Sequence, residues 1–467
     1  MSRLWHWSRR CSRIFTRPNS SLASQLNSVT DADALHFSKI LSSPSSVLST
    51  LPSISTSPEE LDIYNNDWMG KYCGKSTTVL KPKTTEEVSK IVKWCNDKRI
   101  GIVPQGGNTG LVGGGVPLRD EVILSLSNMT QVRSFDPISG ILVTDAGCIL
   151  QTLTGYDLKQ LFIGAEGTLG IITGVSILTP PAPQASNNVI LALPRFENVL
   201  PLYKTVKRQL SEILSAFEFI DRTAYDLAVK HGQGRALSEE EVEGAECFVL
   251  VETSGGRREH DEEKLNDLLE SLLEAEEPLI NTGVLAQNPA QFSSLWALRE
   301  GVTEAVSKEG KAYKYDISVP LSTFKECVDL TRERLRSKGL LNDDQVKAVI
   351  GYGHVGDGNL HLNVIAKAYT PEIQDALEPF VYELVGKYFP YMNSIYPSPR
   401  LNNSTYSLLS RYQTASHRGS VSAEHGIGAM KTHALHYSKD ETSIAWMKKI
   451  KAIFDPNGIM NPGKVLE

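Results

Sequence analysis

The sequence predicts an α+β fold with more than one domain. Apolar runs of strand length alternate with helical patterns, and a proline-rich break, TPPAP, interrupts the chain at Thr179–Pro183. With 467 residues and 41% hydrophobic content, the chain can build two or three cores. A net charge of −6 argues against nucleic acid as a partner, and no apolar run approaches the roughly 20 residues of a membrane-spanning helix. We therefore look for small-molecule chemistry.

The N-terminal segment has the composition of an organelle-import leader. It is rich in serine, and no acidic residue precedes Asp31. Its charged residues are all arginine, namely Arg3, Arg9, Arg10, Arg13 and Arg17. Ser, Pro and Thr are abundant from Leu35 to Ser57, so we expect residues 1–57 to be a transit peptide and a linker. The arginine density favours a mitochondrion, with a disordered basic terminus as the alternative, and six cysteines without a CxxC pair suit a reducing compartment.

The first folded segment alternates strand and helix. Strands are expected at Thr77–Lys81, Ile100–Pro104, Val122–Leu126 and Gly140–Val143, and a helix at Thr84–Lys98. After the proline-rich break the pattern indicates an α+β domain with an antiparallel sheet. Its expected strands are Val189–Leu193, Cys247–Glu252 and Tyr313–Val319, and its expected helices are Glu197–Phe217, Glu259–Glu274 and Ser322–Ser337. From Ile427 we expect helix up to the segment Ile453–Lys464.

A glycine-rich run, PQGGNTGLVGGG at Pro104–Gly115, directly follows an expected strand. Dense glycine lets the backbone approach a ligand and turn successive N–H groups toward phosphate oxygens, so a pyrophosphate cradle is one interpretation. The run is neither a GxGxxG fingerprint nor a Walker loop. A tight surface turn is the other interpretation.

Two histidines and a distant carboxylate form a candidate metal set. In GYGHVGDGNLHLN, a turn between His354 and His361 would bring both imidazoles together, with Asn363 on the same strand face as His361. Glu424 in SAEHGIG is the candidate third ligand, with His425 beside it. Two histidines and one carboxylate make a common open zinc site, although Mn²⁺ or Co²⁺ could also be held and the histidines could be structural.

A third group could bind a carboxylate. Arg299 and Thr303 are spaced i,i+4 on one helical face, and Lys314 lies in the expected strand YKYDISVP. Arginine would give a bidentate contact to a carboxylate. A solvated charged face is the alternative.

Together, these segments resemble the FAD-dependent 2-hydroxy acid dehydrogenases of the vanillyl-alcohol-oxidase type, and especially the mitochondrial D-2-hydroxyglutarate dehydrogenases. The resemblance runs from about Glu59 to the end and rests on PQGGNTGLVGGG, TGYDLKQLFIGAEGTLGI, GYGHVGDGNLHLN, SAEHGIG and PNGIMNPGK. It implies a PCMH-type FAD-binding domain over residues 58–180 and an α+β substrate and metal domain with an antiparallel sheet over residues 181–424. A helical C-terminal segment, residues 425–467, would return to the FAD domain.

The resemblance also implies roles for individual residues. The FAD-binding residues would be Gly106, Gly107, Asn108, Thr109, Gly110, Leu111, Glu166, Gly167, Thr168, Gly170, Ile171 and Asn461. Zinc would be bound by His354, His361 and Glu424, and the substrate by Arg299, Thr303, Lys314 and Asn363. Zinc would lower the pKa of the C2 hydroxyl, and His425 would remove its proton as hydride leaves for flavin N5.

The chain departs from the family in two places. Several dozen residues that the family carries between the segments ending at Leu153 and beginning at Thr154 are absent, including a second glycine- and asparagine-rich loop along the flavin. The stretch Phe389–Ser416 is an insertion without acidic residues. A skipped exon and a retained intron would leave such differences. We therefore expect FAD to bind poorly or not at all.

The implied reaction is the oxidation of (R)-2-hydroxyglutarate to 2-oxoglutarate in the mitochondrial matrix, with electrons passed to an electron-transfer flavoprotein. A D-lactate dehydrogenase of the same family is one alternative. A catalytically inert truncated product that cannot hold FAD is another. A homodimer is left open.

Overall fold

The computed structural model describes residues 26–136, 141–145, 158–179, 181–234, 237–387 and 419–466. They form two compact units, one from Met1–Pro181 together with His425–Glu467 and the other from Ala182–Glu424. The arginine-rich leader up to residue 25, the junction between Leu153 and Thr154, and the insertion Phe389–Ser416 lie outside the described residues.

The elements are numbered along the chain. The helices are α1 (Asp31–Ile40), α2 (Pro58–Asn65), α3 (Thr85–Lys98), α4 (Lys159–Phe162), α5 (Val199–Gln209), α6 (Arg222–Lys230), α7 (Glu239–Val242), α8 (Arg258–Leu273), α9 (Pro289–Glu300), α10 (Val302–Glu309), α11 (Phe324–Ser337), α12 (Pro371–Leu377), α13 (Phe380–Lys387) and α14 (Glu441–Phe454). The strands are β1 (Val47–Ser49), β2 (Thr78–Leu80), β3 (Ile102–Gln105), β4 (Val122–Ser125), β5 (Val132–Asp136), β6 (Ile141–Asp145), β7 (Gly174–Leu178), β8 (Ala185–Leu193), β9 (Leu214–Asp221), β10 (Cys247–Gly255), β11 (Thr282–Leu285), β12 (Lys311–Ser318), β13 (Val346–His354) and β14 (Asn359–Ala366).

The first unit contains a mostly parallel sheet in the order β1-β2-β4-β3 and an antiparallel sheet in the order β5-β6-β7. Helix α3 packs its apolar stripe, which includes Ile91 and Cys95, into a core shared with Leu80, Ile102 and Leu124. The glycine-rich run therefore begins at the end of a buried strand, β3, which fixes where it starts.

Part of the expected linker is folded. Helix α1 begins with a capping box in which the Thr30 hydroxyl accepts from the backbone N–H of Asp33 at 3.3 Å and the Asp33 carboxylate accepts from the Thr30 N–H at 2.9 Å. Phe37 is fully buried in the core of the first unit, and β1 pairs with β2. The expectation of a linker over Leu35–Ser57 was therefore wrong, because a Ser- and Pro-rich composition does not reveal apolar residues that pack against distant segments.

The second unit is an antiparallel sheet in the order β11-β8-β10-β9-β13-β14-β12, as an α+β domain requires. Helices α6, α9 and α10 pack with one face of this sheet in a core that includes Ile220, Ile350 and Tyr352. Helix α11 packs on β13 and β14.

Two segments differ from the sequence expectation. The helix expected over Glu197–Phe217 ends at Gln209, and the chain turns into strand β9. The region from Ile427 is not continuous helix, because Gly426 and Gly428 adopt left-handed φ angles of 84° and 52°, and α14 begins only after Asp440. In the part of the chain that is described, the helices are too short or too polar to cross a membrane.

Candidate functional site

The glycine-rich run of the first unit forms an open loop held at both ends. The Gln105 side-chain amide donates to the carbonyl of Gly115 at 2.8 Å and to that of Tyr64 at 2.9 Å. A Cβ placed on Gly106 or Gly110 would meet no atom within 4 Å, so the loop leaves room for a ligand against its backbone. These features fit a phosphate cradle.

The other predicted residues of this loop lie in the same turn. Asn108 has a left-handed φ of 54°, which asparagine tolerates, and its side chain donates to the carbonyl of Asn66 at 2.8 Å. Gly107 and Thr109 are exposed and Leu111 is half-buried. The loop is thus anchored by side chains while part of its backbone faces outward.

Glu166 and Asn461 act as braces within the first unit. The Glu166 carboxylate accepts from the backbone N–H groups of Ile427 and Gly428, at 2.7 Å each. The Asn461 amide donates to the carbonyls of Glu166 at 2.5 Å and Gly114 at 3.3 Å. Burial raises the pKa of Glu166, while these two N–H donors oppose that rise. Both side chains thus connect the glycine-rich loop, the 166 region and the C-terminal segment.

The rest of the predicted 166 segment is compact. Gly167 has φ of 74°, and the buried Thr168 hydroxyl donates to the carbonyl of Ala165 at 2.6 Å. Gly170 follows, and Ile171 packs against the apolar core of the first unit. The segment is therefore fixed by its own backbone turns.

Lys464, which sequence reasoning did not single out, ties the C-terminus to the loop. Its ammonium donates to the carbonyl of Val116 at 2.7 Å, to that of Gly114 at 3.2 Å and to Asn461 Oδ1 at 3.4 Å. Burial lowers the pKa of Lys464 to about 8, although the carboxylates of Glu121 and Glu166 oppose this. Its only sequence signal is a lysine within PNGIMNPGK.

In the second unit, the hairpin of β13 and β14 brings His354 and His361 together. Their ring centroids are 5.2 Å apart in an edge-on arrangement. Antiparallel register places Tyr352 opposite His361 and Asn359 opposite His354, so all four residues share one face of the sheet. The structure therefore brings both imidazoles together within the second unit.

Glu424 completes a set of three possible metal ligands. Its Oε1 lies 3.2 Å from His354 Nε2, and one ligand atom of each of Glu424, His354 and His361 lies within 4.8 Å of the others. Ligands bound to zinc at about 2.0–2.1 Å in tetrahedral geometry stand roughly 3.3 Å apart. The donor set and its spacing fit a divalent metal.

Two carboxylates that sequence reasoning missed support this set. Glu218 on β9 lies opposite His354 in register and approaches His354 Nδ1 with Oε1 at 2.8 Å. The hydrogen bond to Glu218 raises the pKa of His354, and burial opposes it. On β12, Asp316 lies opposite His361, at 3.5 Å from its Nδ1, and accepts from the backbone N–H of Glu424 at 2.7 Å. The available signal was a single acid inside each of two largely apolar stretches, AFEFI and YKYDIS.

Arg299 on α9 is held by the same Glu218. Its Nε and Nη2 lie 2.9 Å and 2.8 Å from Glu218 Oε2, and its guanidinium stacks 4.9 Å from the centre of the Tyr352 ring. Arg299 is 6% exposed, so this pairing offsets the cost of burying its charge.

The other predicted substrate residues line the same face. Thr303 and Tyr352 share a hydrogen bond of 3.0 Å between their hydroxyls. Lys314 lies opposite Asn363 in the register of β12 and β14, and burial lowers the pKa of Lys314. His425 follows Glu424 directly in the chain and begins the returning segment of the first unit.

Comparisons with known proteins match both units. A family model described as "FAD binding domain" matches residues 76–176, and one described as "FAD linked oxidases, C-terminal domain" matches residues 182–465. A D-2-hydroxyglutarate dehydrogenase, mitochondrial, from Rattus norvegicus is 39% identical and covers 88% of this chain and 82% of its own length. A putative D-lactate dehydrogenase, mitochondrial, from Schizosaccharomyces pombe is 38% identical and covers 93% and 90%, respectively. A D-2-hydroxyglutarate–pyruvate transhydrogenase from Saccharomyces cerevisiae is 38% identical over 88% and 91%.

Solved structures share the fold at low sequence identity. A substrate-bound p-cresol methylhydroxylase superposes with a TM-score of 0.65 and 13% identity, covering 95% of this chain and 98% of its own. A 4-ethylphenol oxidase from Gulosibacter chungangensis superposes with a TM-score of 0.62 and 13% identity, covering 95% and 99%. These likenesses confirm the predicted vanillyl-alcohol-oxidase type of fold.

The alignment with the rat protein contains gaps in this chain. It extends over 480 positions, more than the 467 residues of this chain, although it covers only 88% of them. The rat protein therefore contributes residues that face gaps in this chain.

Proposed function

The chain belongs to the FAD-linked oxidases and within them to the FAD-dependent hydroxy acid dehydrogenases, and on this premise we propose that it oxidises (R)-2-hydroxyglutarate to 2-oxoglutarate. One observation carries the proposal: His354, His361 and Glu424 present three metal-ligand atoms within 4.8 Å in the same unit as Arg299 and Lys314. A hydroxy acid with two carboxylates requires a group that binds its hydroxyl, here the metal, and more than one cation to pair with its carboxylates.

The chemistry divides between bound groups and the chain. When bound, zinc lowers the pKa of the C2 hydroxyl, and FAD accepts the hydride. The Arg299 guanidinium and the Lys314 ammonium bind the substrate carboxylates, and Thr303 and Asn363 donate further hydrogen bonds. His425 takes the hydroxyl proton as general base.

The glycine-rich loop supports FAD as the cofactor. Its outward backbone at Gly106 and Gly110 can turn N–H groups toward a pyrophosphate, and its left-handed turn at Asn108 is held by Asn66. We assign Gly106, Gly107, Asn108, Thr109, Gly110 and Leu111 to this contact. The segment Glu166–Ile171 and Asn461 support it by holding the loop and the C-terminal segment in place.

A D-lactate dehydrogenase is the second candidate, favoured by the S. pombe relative's name. Lactate has a methyl group where 2-hydroxyglutarate has a second carboxylate. Arg299 and Lys314 lie in the same unit, and two cations favour the longer acid because its second carboxylate can pair with the second cation.

An inert product is the third candidate, favoured by the residues of the rat relative that face gaps in this chain. A shortened flavin domain offers less surface to the cofactor. In this case the second unit would still bind metal and substrate, whereas FAD would be lost on purification.

The deciding experiment is the visible absorption spectrum of the purified, zinc-loaded full chain, before and after anaerobic addition of D-2-hydroxyglutarate or D-lactate. Flavin bands that D-2-hydroxyglutarate bleaches faster than D-lactate does would support the proposed reaction and would overturn the expectation that the shortened domain binds FAD poorly. The variant His354→Ala should retain the bands and lose rapid bleaching. His260→Ala, at an exposed histidine on α8 of the same unit, is the matched control and should behave as wild type.

The outcomes separate the candidates. Faster bleaching by D-lactate would assign the chain to the lactate reaction. A folded, colourless protein that takes up no added FAD would leave only the inert product.

Within the same proposal, the electron acceptor is an electron-transfer flavoprotein and the location is the mitochondrial matrix. The relatives' names include "mitochondrial", and the arginine-rich leader supports import. Fusion of residues 1–57 to a fluorescent protein tests the location: matrix fluorescence is expected, and diffuse cytosolic fluorescence would contradict it.

A further inference from the structure

Glu218 is a buried acid whose two oxygens serve different partners. It lies on β9 between Phe217 and Phe219, both buried, and is itself 5% exposed. Oε1 approaches His354 Nδ1 at 2.8 Å, whereas Oε2 receives Arg299. Burying an unpaired carboxylate costs several kcal/mol. The contacts with His354 and Arg299 offset this cost, and each oxygen has its own partner.

We propose that Glu218 is a positioning residue that orients the metal ligand His354 and the substrate-binding Arg299 through one carboxylate. The inference rests on the proposed function, because it gives His354 the role of metal ligand. The new element is the role of Glu218. One side chain positions both the metal ligand and the substrate-binding arginine and so couples them.

The hydrogen-bonding chemistry of Glu218 fixes the orientation of His354. An ionised carboxylate only accepts hydrogen bonds, so the His354 nitrogen that faces it, Nδ1, must carry the hydrogen. The opposite nitrogen, Nε2, is then the one that can bind a metal, and it lies 3.2 Å from Glu424 Oε1. Carboxylates that receive the second N–H of a metal-bound histidine increase metal affinity.

Register makes this contact part of the sheet. Glu218 and His354 are directly opposed on β9 and β13, which places their side chains on one face. Arg299 reaches the same carboxylate from α9 with two nitrogens on one oxygen. Charge balance for Arg299 requires only Oε2. The contact between Oε1 and His354 therefore gives Glu218 a second role, which is to orient the imidazole.

The substitution Glu218→Gln separates these roles. Glutamine has nearly the same shape but only one acceptor oxygen, for which His354 and Arg299 must compete. A buried guanidinium left without an acceptor costs more than a neutral imidazole does, so Arg299 should take the oxygen. The amide NH₂ then faces His354 Nδ1, which moves the hydrogen to Nε2 and removes the lone pair that binds metal.

The double variant Glu218→Gln with Arg299→Met provides the decisive comparison. The methionine side chain has no N–H group, so the glutamine oxygen can turn to His354. This restores the orientation in which Nε2 is free to bind metal. A role limited to charge balance or packing predicts no such recovery.

The experiment measures Zn²⁺ affinity of the purified full chain by competition with a chromophoric chelator. We expect Glu218→Gln to weaken zinc binding by about 10- to 100-fold and the double variant to recover at least half of that loss on a logarithmic scale. Glu252→Gln is the matched control. Glu252 lies on the adjacent strand β10 and, among the described residues, accepts hydrogen bonds from Ser215 at 2.8 Å and Trp296 at 2.6 Å, so its substitution should leave zinc affinity unchanged.

The outcomes distinguish this inference from the proposed function. Equal zinc affinity in wild type, Glu218→Gln and Glu252→Gln would overturn the inference while leaving the metal site intact. Weak binding in both Glu218→Gln and the double variant would also overturn it, since it would indicate a packing defect. A wild-type protein that binds no zinc would instead overturn the metal role in the proposed function, and the inference with it.

Discussion

Replacing Lys464 by methionine should change how the stability of the protein depends on pH. Lys464 is 2% exposed, and its ammonium donates to three neutral oxygens, those of Val116, Gly114 and Asn461. Because burial disfavours the charged form, the pKa of Lys464 falls to about 8, compared with about 10.4 for an unperturbed lysine. At neutral pH the folded protein therefore carries an unfavourably buried charge.

The sign and size follow from proton binding. Between about pH 8 and pH 10.4, unfolded lysine keeps its proton while folded Lys464 has released it. The unfolded state then binds more protons, so the free energy of unfolding rises with pH by up to about 1.4 kcal/mol per pH unit. Over the whole interval this contribution reaches about 3 kcal/mol. Methionine has no proton to release and lacks this contribution.

Guanidinium unfolding at a series of pH values, followed by tryptophan fluorescence, measures this effect. We expect the unfolding free energy of wild type minus that of Lys464→Met to increase steadily from about pH 7.5 to about pH 10. Lys90→Met, at an exposed position on α3 of the same unit, is the control and should keep the wild-type pH dependence. A constant difference between wild type and Lys464→Met over this range would refute the reasoning.

Two further perturbations test the N-terminal helix and the metal set. If α1 belongs to the fold, Thr30→Ala removes its cap and should lower the free energy of unfolding by about 1 kcal/mol in the same denaturation assay. Ser28→Ala, at an exposed position two residues before the cap, is the control and should have no effect. Removing zinc with a chelator should lower the thermal unfolding temperature of wild type, because a metal present at 100 times its dissociation constant adds about 2.7 kcal/mol to the folded state. The chelator should leave His354→Ala unaffected, and an equal shift in both proteins would contradict the assignment of His354 as a ligand.

The hairpin that carries the two histidines could be predicted because its signals are local. The Gly-Asp-Gly turn gives the reversal, and alternation along the strand puts His361 and Asn363 on one face. The same reasoning located helix α3, whose apolar spacing and capping threonine lie within one short segment. Local patterns of this kind need no knowledge of the partner strand.

Strand β9 could not be predicted in this way. Its neighbours are β10 and β13, and its register with both is set by residues far along the chain. Taken alone, the stretch up to Phe217 continues the apolar spacing of α5, so helix was expected there. Missing β9 as a strand also hid Glu218, because its position opposite His354 exists only in the sheet.

In both units, acidic and amide side chains hold other groups in place by hydrogen bonds. Substituting them is therefore expected to affect ligand binding indirectly. The Glu166 carboxylate binds two backbone N–H groups, and Asn461 binds the carbonyls of Glu166 and Gly114. Substituting either residue would therefore weaken flavin binding by loosening the loop, even if the side chain never touched the cofactor. In our proposal Glu218 has the same relation to the metal set, since it orients His354 and is not itself a proposed ligand. A side chain whose hydrogen bonds are all made within the protein affects ligand binding indirectly, because it positions the groups that contact the ligand.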